Sequence, residues 1–153
     1  IYFKGGIMRL STKGRYAVTA MLELTIRNQK GPVTLAEISE DQDISLSYLE
    51  QLFANLRKHG LVKGMRGPGG GYQLGKEPTE ISVASIIMAV DEKVDVMKCK
   101  GEGNCHDGQK CITHNLWQSL SCQIYTFLDN ISLQNLVDEH EETGTTEVLN
   151  QLG

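Results

Sequence analysis

Arg66-Gly67-Pro68-Gly69-Gly70-Gly71 stands between two short strand-forming runs, and no feature of the chain restricts its fold more. Residues 61–65 before it and Tyr72-Gln73-Leu74 after it can pair as a hairpin, because glycine supplies turn conformations that other residues resist. The hairpin follows two short helices. Thr34 and Glu37 have the spacing of a capping box, which starts a helix over residues 35–41. After a turn at Gln42-Asp43-Ile44, Ser45 or Ser47 caps a third helix reaching about His59, and Gly60 stops it. Leu46, Leu49, Leu52, Phe53 and Leu56 form its apolar stripe. Ahead of this unit, Ser11 or Thr12 opens a helix to about Asn28, with Val18, Met21, Leu22 and Ile26 on one face and Gly31-Pro32 at its end. Two short helices, a tight turn and a β-hairpin wing are the sequence form of a winged helix-turn-helix. The expected fold class is mainly α with a small β-hairpin wing, followed by a long dimerisation helix.

Charge agrees with a nucleic-acid surface in one half of the chain. The net charge is −4, yet residues 8–80 carry ten Lys/Arg and eight Asp/Glu, and residues 81–153 carry four and eleven. Between residues 57 and 76 lie Arg57, Lys58, Lys63, Arg66 and Lys76, with no acid among them. Cations that neutralise phosphates supply much of a DNA binder's affinity. Ser47, Tyr48, Gln51 and Asn55 are expected on the outer face of the third helix, where amide side chains can pair with adenine edges. Arg66 stands at the wing tip, as an insertion into a narrow minor groove requires. The blander reading is a solvated basic hairpin beside a helix pair. A phosphate-cradling nucleotide loop is excluded, because the glycine run lacks a Lys-Ser/Thr ending and does not lead into a helix.

The acidic half carries the second motif. Ser82 caps a helix through about Val90, and Thr113 caps a long helix to about Asn130. The glycine-bearing stretch between them holds Cys99, Cys105 and Cys111 at five-residue spacings, and His114 follows Cys111 by three positions. Thiolates suit zinc, copper(I) or iron–sulfur clusters, and mixed Cys/His ligation of a cluster raises its potential. The spacing lacks the Cys-x2-Cys pairs of common zinc sites. A redox-active thiol set and inert thiols are the alternatives. His106, His59 and His140 read as surface residues, and Cys122 as a helix-surface or interface thiol. On the long helix, Leu116, Trp117, Leu120, Ile124, Phe127 and Leu128 make an apolar face too broad for a lone helix. Core packing is one explanation; pairing with a second copy, which would present two recognition helices to a pseudo-palindromic site, is the other. Residues 133–137 form a short further segment, and residues 138–153 an acidic polar tail.

Composition excludes other classes. Hydrophobic residues are 40% and charged residues 22% of the 153, ordinary for a globular protein. No apolar run approaches the ~18–20 residues of a membrane span, so no membrane partner and a cytoplasmic location are expected. Residues 1–7, ahead of Met8, resemble the remnant of an engineered protease site and are set aside. There is no paired-carboxylate motif, triad signature or dinucleotide fingerprint, so no enzymatic activity is expected. The division is residues 8–80 as DNA reader and 81–137 as sensing and dimerisation segment.

Met8-Arg9-Leu10-Ser11-Thr12-Lys13-Gly14-Arg15-Tyr16-Ala17, Leu46-Ser47-Tyr48-Leu49-Glu50-Gln51-Leu52-Phe53, the Arg66–Tyr72 glycine run and the Cys-x5-Cys-x5-Cys-x2-His pattern resemble the IscR family of bacterial iron–sulfur cluster regulators. The resemblance covers residues 8–137. The helix and wing motifs alone would fit the wider winged-helix regulators that include NsrR, CymR and RirA; the Cys/His pattern points to the narrower family. The resemblance implies a homodimeric repressor or activator of iron–sulfur assembly genes, with one [2Fe–2S] cluster per subunit on Cys99, Cys105, Cys111 and His114. It implies that the assembly machinery is the cluster source and that Ser47, Tyr48, Gln51 and Arg66 contact the operator. A thiol-based redox-sensing transcription factor is the alternative. Cys122 is an addition to the family pattern.

Glu50 is a candidate specificity switch. A carboxylate on the DNA-facing side is repelled by phosphates and accepted mainly where a cytosine N4 amine can donate to it, so it disfavours operators without such a partner. The competing reading is a Ser47-x-x-Glu50 capping box with no role at DNA.

Overall fold

The computed structural model describes residues 12–90 and 113–152, with side chains through residue 144. Six α-helices and one hairpin make up the described fold: α1 (Thr12–Arg27), α2 (Leu35–Gln42), α3 (Leu46–Lys58), β1 (Val62–Met65), β2 (Gly71–Leu74), α4 (Val83–Val90), α5 (His114–Asp129) and α6 (Leu133–Leu152). The wing and helix-turn-helix stand as expected. β1 and β2 pair antiparallel, Val62 opposite Leu74 and Met65 opposite Gly71.

One core runs from Ala17 in α1 to Leu133 in α6 and includes Leu49, Leu52, Phe53 and Leu56 of α3, all fully buried. Burying each such side chain is worth ~1.5–3 kcal/mol. Two stripes are set differently from their expected positions. On α1 the buried residues are Gly14, Ala17, Ala20, Met21, Leu24 and Thr25, whereas Val18, Leu22 and Ile26 are half-buried. Small residues stand where α4 packs close: a Cβ on Gly14 would meet Ile87 at 3.4 Å. On α3, Leu46 is exposed, because it is the first residue after the cap and precedes the turn that reaches the core.

The capping box of α2 forms in full. Glu37 N donates to Thr34 Oγ1, and Thr34 N donates to Glu37 Oε2 at 2.7 Å. Asp43 ends the helix in the left-handed region at φ 52°, a conformation that a short polar side chain tolerates. Ile44, placed by the sequence in a polar turn, is buried. The Ser39 hydroxyl holds the turn by donating to Ile44 O at 2.6 Å. Ser45, rather than Ser47, caps α3 by accepting from Tyr48 N.

Two backbone pairings join distant segments. Val33 pairs with Tyr72 in an isolated bridge beside the two-stranded wing, and Ser82 pairs with Ser132. The latter sets the first residues of α4 and α6 side by side, with Val83 N donating to Ile131 O at 2.8 Å and Leu133 N to Ile81 O at 2.9 Å. Thr113 does not cap α5 through its side chain. Its hydroxyl accepts instead from Trp117 Nε1 at 2.7 Å. The segment expected over residues 133–137 is the start of α6, which continues through the acidic stretch to Leu152. Its first turn is secured reciprocally, Asn135 N donating to Ser132 Oγ and Ser132 N to Asn135 Oδ1. No helix among the described residues is long and apolar enough to cross a membrane.

Candidate nucleic-acid interface

The candidate recognition surface is α3 with the wing beside it. Ser47, Gln51, Asn55 and Lys58 follow one another at helical spacing along the side of α3 opposite Leu49, Leu52, Phe53 and Leu56. Ser47, Gln51 and Lys58 are exposed, and Tyr48 and Asn55 are half-buried. Glu50 is exposed too. Because the cap is Ser45, Ser47 and Glu50 both lie inside the helix, and the Ser47–Glu50 capping box does not form. Arg57 and Lys58 occupy the last turn, where cations complement the helix dipole. The His59 ring lies with Nδ1 2.9 Å from Asn55 O, securing the end of the helix.

The wing owes its shape to its glycines. Gly67 and Gly69 have φ of 99° and 72°, and Gly70 N donates to Gly67 O at 2.9 Å to close the tip. This turn leaves Arg66 exposed beside the tip, and Lys63 exposed on β1. The hairpin is held to α3 by an aromatic contact: the Tyr72 and Phe53 rings lie 5.0 Å apart at 64°. On the other side of the helix, Tyr48 and Tyr16 of α1 meet nearly perpendicular, 5.8 Å apart. Burial raises the Tyr48 phenol above its ordinary value, with a smaller contribution from Tyr16. Sequence patterns alone do not reveal the Tyr16 contact, because Tyr16 lies off the apolar stripe of α1. A hint of the Val33–Tyr72 bridge is present in Val33, a β-branched residue between Pro32 and Thr34.

Of the four Cys/His candidates, His114 lies on the first turn of α5 and is 5% exposed. Cys99, Cys105, Cys111 and His106 lie outside the described residues. Cys122 is exposed on α5, as expected of a helix-surface thiol. Along α5 only His114 and Ser121 are buried. Trp117, Leu120, Ile124 and Leu128 are half-buried, and Leu116 and Phe127 are 58% and 66% exposed. Ile124 and Leu128 pack against Val83 and Ile87 of α4. Among the described residues, Leu116 and Phe127 are the large hydrophobics of α5 left exposed.

A recognition helix and a glycine-shaped wing, fixed to one core, define a winged helix-turn-helix DNA-binding protein. The chain belongs to the Rrf2 family of iron-dependent transcriptional regulators, whose profile matches residues 10–139. It is 60% identical over 134 residues to the HTH-type transcriptional regulator IscR of Photorhabdus laumondii, covering 88% of this chain and 82% of that one. It is 58% identical to the IscR of Escherichia coli K12, with 88% and 83% covered. Among solved structures, T. potens IscR superposes with a TM-score of 0.73 at 39% identity, covering 89% of this chain and 90% of that one. CymR, the global cysteine regulator of B. subtilis, superposes with a TM-score of 0.75 at 33% identity, covering 87% and 98%. The two IscR sequences of Photorhabdus laumondii and Escherichia coli are named as transcriptional regulators, a non-enzymatic role, as the sequence led one to expect.

Proposed function

We propose that the chain represses or activates iron–sulfur assembly genes as a cytoplasmic homodimer, each subunit holding one [2Fe–2S] cluster supplied by the assembly machinery. Residues 8–80 read the operator, and residues 81–137 carry the sensing and pairing functions. Cys99, Cys105, Cys111 and His114 would hold the cluster. Three thiolates and one imidazole are a soft donor set that fits iron–sulfur ligation. The observation that carries this reading is His114: an imidazole buried at the start of α5, three positions after the last cysteine of the run. When bound, the cluster supplies a redox-active and removable group. The chain's own residues supply the remainder. The core fixes α3, Gln51 and Asn55 present amides to base edges, Ser47 and Tyr48 present hydroxyls, and Lys58 and Lys63 attract phosphates. Arg66 enters the minor groove. Leu116, Trp117, Leu120, Ile124, Phe127 and Leu128 line the face that pairs with a second copy. Glu50 excludes operators that offer it no donor, so that one operator class is bound only in the cluster-loaded state.

The decisive experiment is anaerobic purification with a visible spectrum and iron and sulfide assays, followed by titration of an operator fragment. Iron and acid-labile sulfide in equal amounts, both lost in Cys105→Ala, are expected. Zinc without sulfide, or a metal-free protein with a disulfide among Cys99, Cys105 and Cys111, would overturn the cluster assignment. Arg66→Ala should weaken specific binding by ~1–3 kcal/mol, and unchanged affinity removes the wing from the interface.

A further inference from the structure

We propose that Tyr16, on α1, is a positioning residue for operator reading: it holds the Tyr48 side chain at the leading end of the recognition helix. The inference rests on the operator-binding reading of α3 given above. Tyr16 is 40% exposed, and it is absent from both apolar clusters of the fold. Its cross-element ring contact is with Tyr48, at 5.8 Å and 84°, within the range where aromatic pairs attract edge to face. Tyr48 is thereby fixed twice. Its backbone amide is held by the Ser45 cap, and its ring is held by α1. A tyrosine phenol is protonated at neutral pH, so the hydroxyl can donate where a DNA acceptor would need it. A side chain already held in one rotamer loses less freedom on binding. Tyr16 therefore acts on DNA affinity through Tyr48 without itself contacting a base.

The test is a double-mutant cycle on the full-length dimer. The probes are a duplex selected by this protein from a randomised library and a scrambled duplex of equal length. Tyr16→Ala should weaken the selected duplex roughly 3- to 10-fold and leave the scrambled duplex unchanged. Tyr16→Phe keeps the ring and should bind as the parent does. In a Tyr48→Ala background, Tyr16→Ala should have no further effect, because the group it positions is gone. Tyr16→Leu, which preserves bulk, replaces the alanine variant should the latter fail to fold, with the same losses expected. Equal losses from Tyr16→Ala with and without Tyr48 overturn the proposal, as does a Tyr16→Phe variant as weak as Tyr16→Ala. Losses in Arg66→Ala and Tyr48→Ala without one in Tyr16→Ala would sink this inference and leave the operator-binding reading standing. No loss in any of the three would sink both.

Discussion

Val33 and Tyr72 exchange both of their backbone hydrogen bonds, Val33 N donating to Tyr72 O at 2.9 Å and Tyr72 N donating to Val33 O at 2.7 Å. The pair fastens the wing to the residue before the α2 cap, so hairpin and helix-turn-helix share one backbone frame. Its closeness depends on Gly71. A Cβ there would stand 2.5 Å from Val33 O, at a φ of 155°.

Gly71→Ala should therefore lower stability by roughly 1–3 kcal/mol and weaken operator binding through displacement of the wing. Gly67 also has positive φ, but nothing lies within 4 Å of its added Cβ, so Gly67→Ala should cost less. Urea unfolding of the two variants checks the order. Equal losses would mean that backbone conformation, rather than the contact with Val33, governs the wing.

Acid should loosen α2 through its capping box. Hydrogen bonds from the Thr34 backbone and side chain hold the Glu37 carboxyl below its ordinary value of 4.5. A carboxyl lowered on folding contributes stability that is complete above 4.5 and is lost as pH falls through the folded value. Glu37→Gln should flatten the pH dependence of stability in that window. An unchanged profile between pH 5 and the acid transition would remove the box from the acid response.

Glu50→Ala separates a recognition role from a structural one. The side chain is exposed and its supposed capping partner lies inside the helix, so stability should stay within ~0.5 kcal/mol of the parent. Cluster-free protein should gain affinity for the cluster-dependent operator. Loss of affinity for every operator tested would discard the switch.

Lys58→Ala should weaken binding uniformly across sequences and reduce the salt slope by about one. Isothermal titrations at several salt concentrations measure this. A loss confined to one sequence would place Lys58 at a base edge instead of a phosphate.

Leu116→Glu combined with Phe127→Glu should shift the protein to monomer. Both positions are more than half exposed in the single chain, so a charge there costs the monomer little and the pairing much. Sedimentation equilibrium settles it; a persistent dimer would move the interface off α5.

The winged helix was legible because its signals are local. Thr34 and Glu37 lie within one turn, and the glycine run marks the hairpin without reference to anything distant. What escaped was decided by tertiary partners. The expected α1 stripe of Val18, Met21, Leu22 and Ile26 has helical spacing, yet of these only Met21 is buried; Gly14, Ala17, Ala20 and Leu24 are buried with it, with α4 packed close across Gly14. Thr113 looks like a cap, but its hydroxyl accepts from Trp117. Val33 and Tyr72 are far apart in sequence, so no window could pair them. The face of α3 was readable from its stripe. The Tyr16 contact with Tyr48 was not, because an aromatic off the apolar face gives no periodic signal.

The pairing of Ser82 with Ser132 has a kinetic consequence. The wing strands meet across a tip of a few residues, whereas this bridge closes a stretch roughly tenfold longer, at an added loop-entropy cost of about 2 kcal/mol. Folding rate falls as contacts become less local, so the hairpin itself can close ahead of the joint that brings α4 and α6 together. Once opened, that joint is slower to re-form than any turn of the wing.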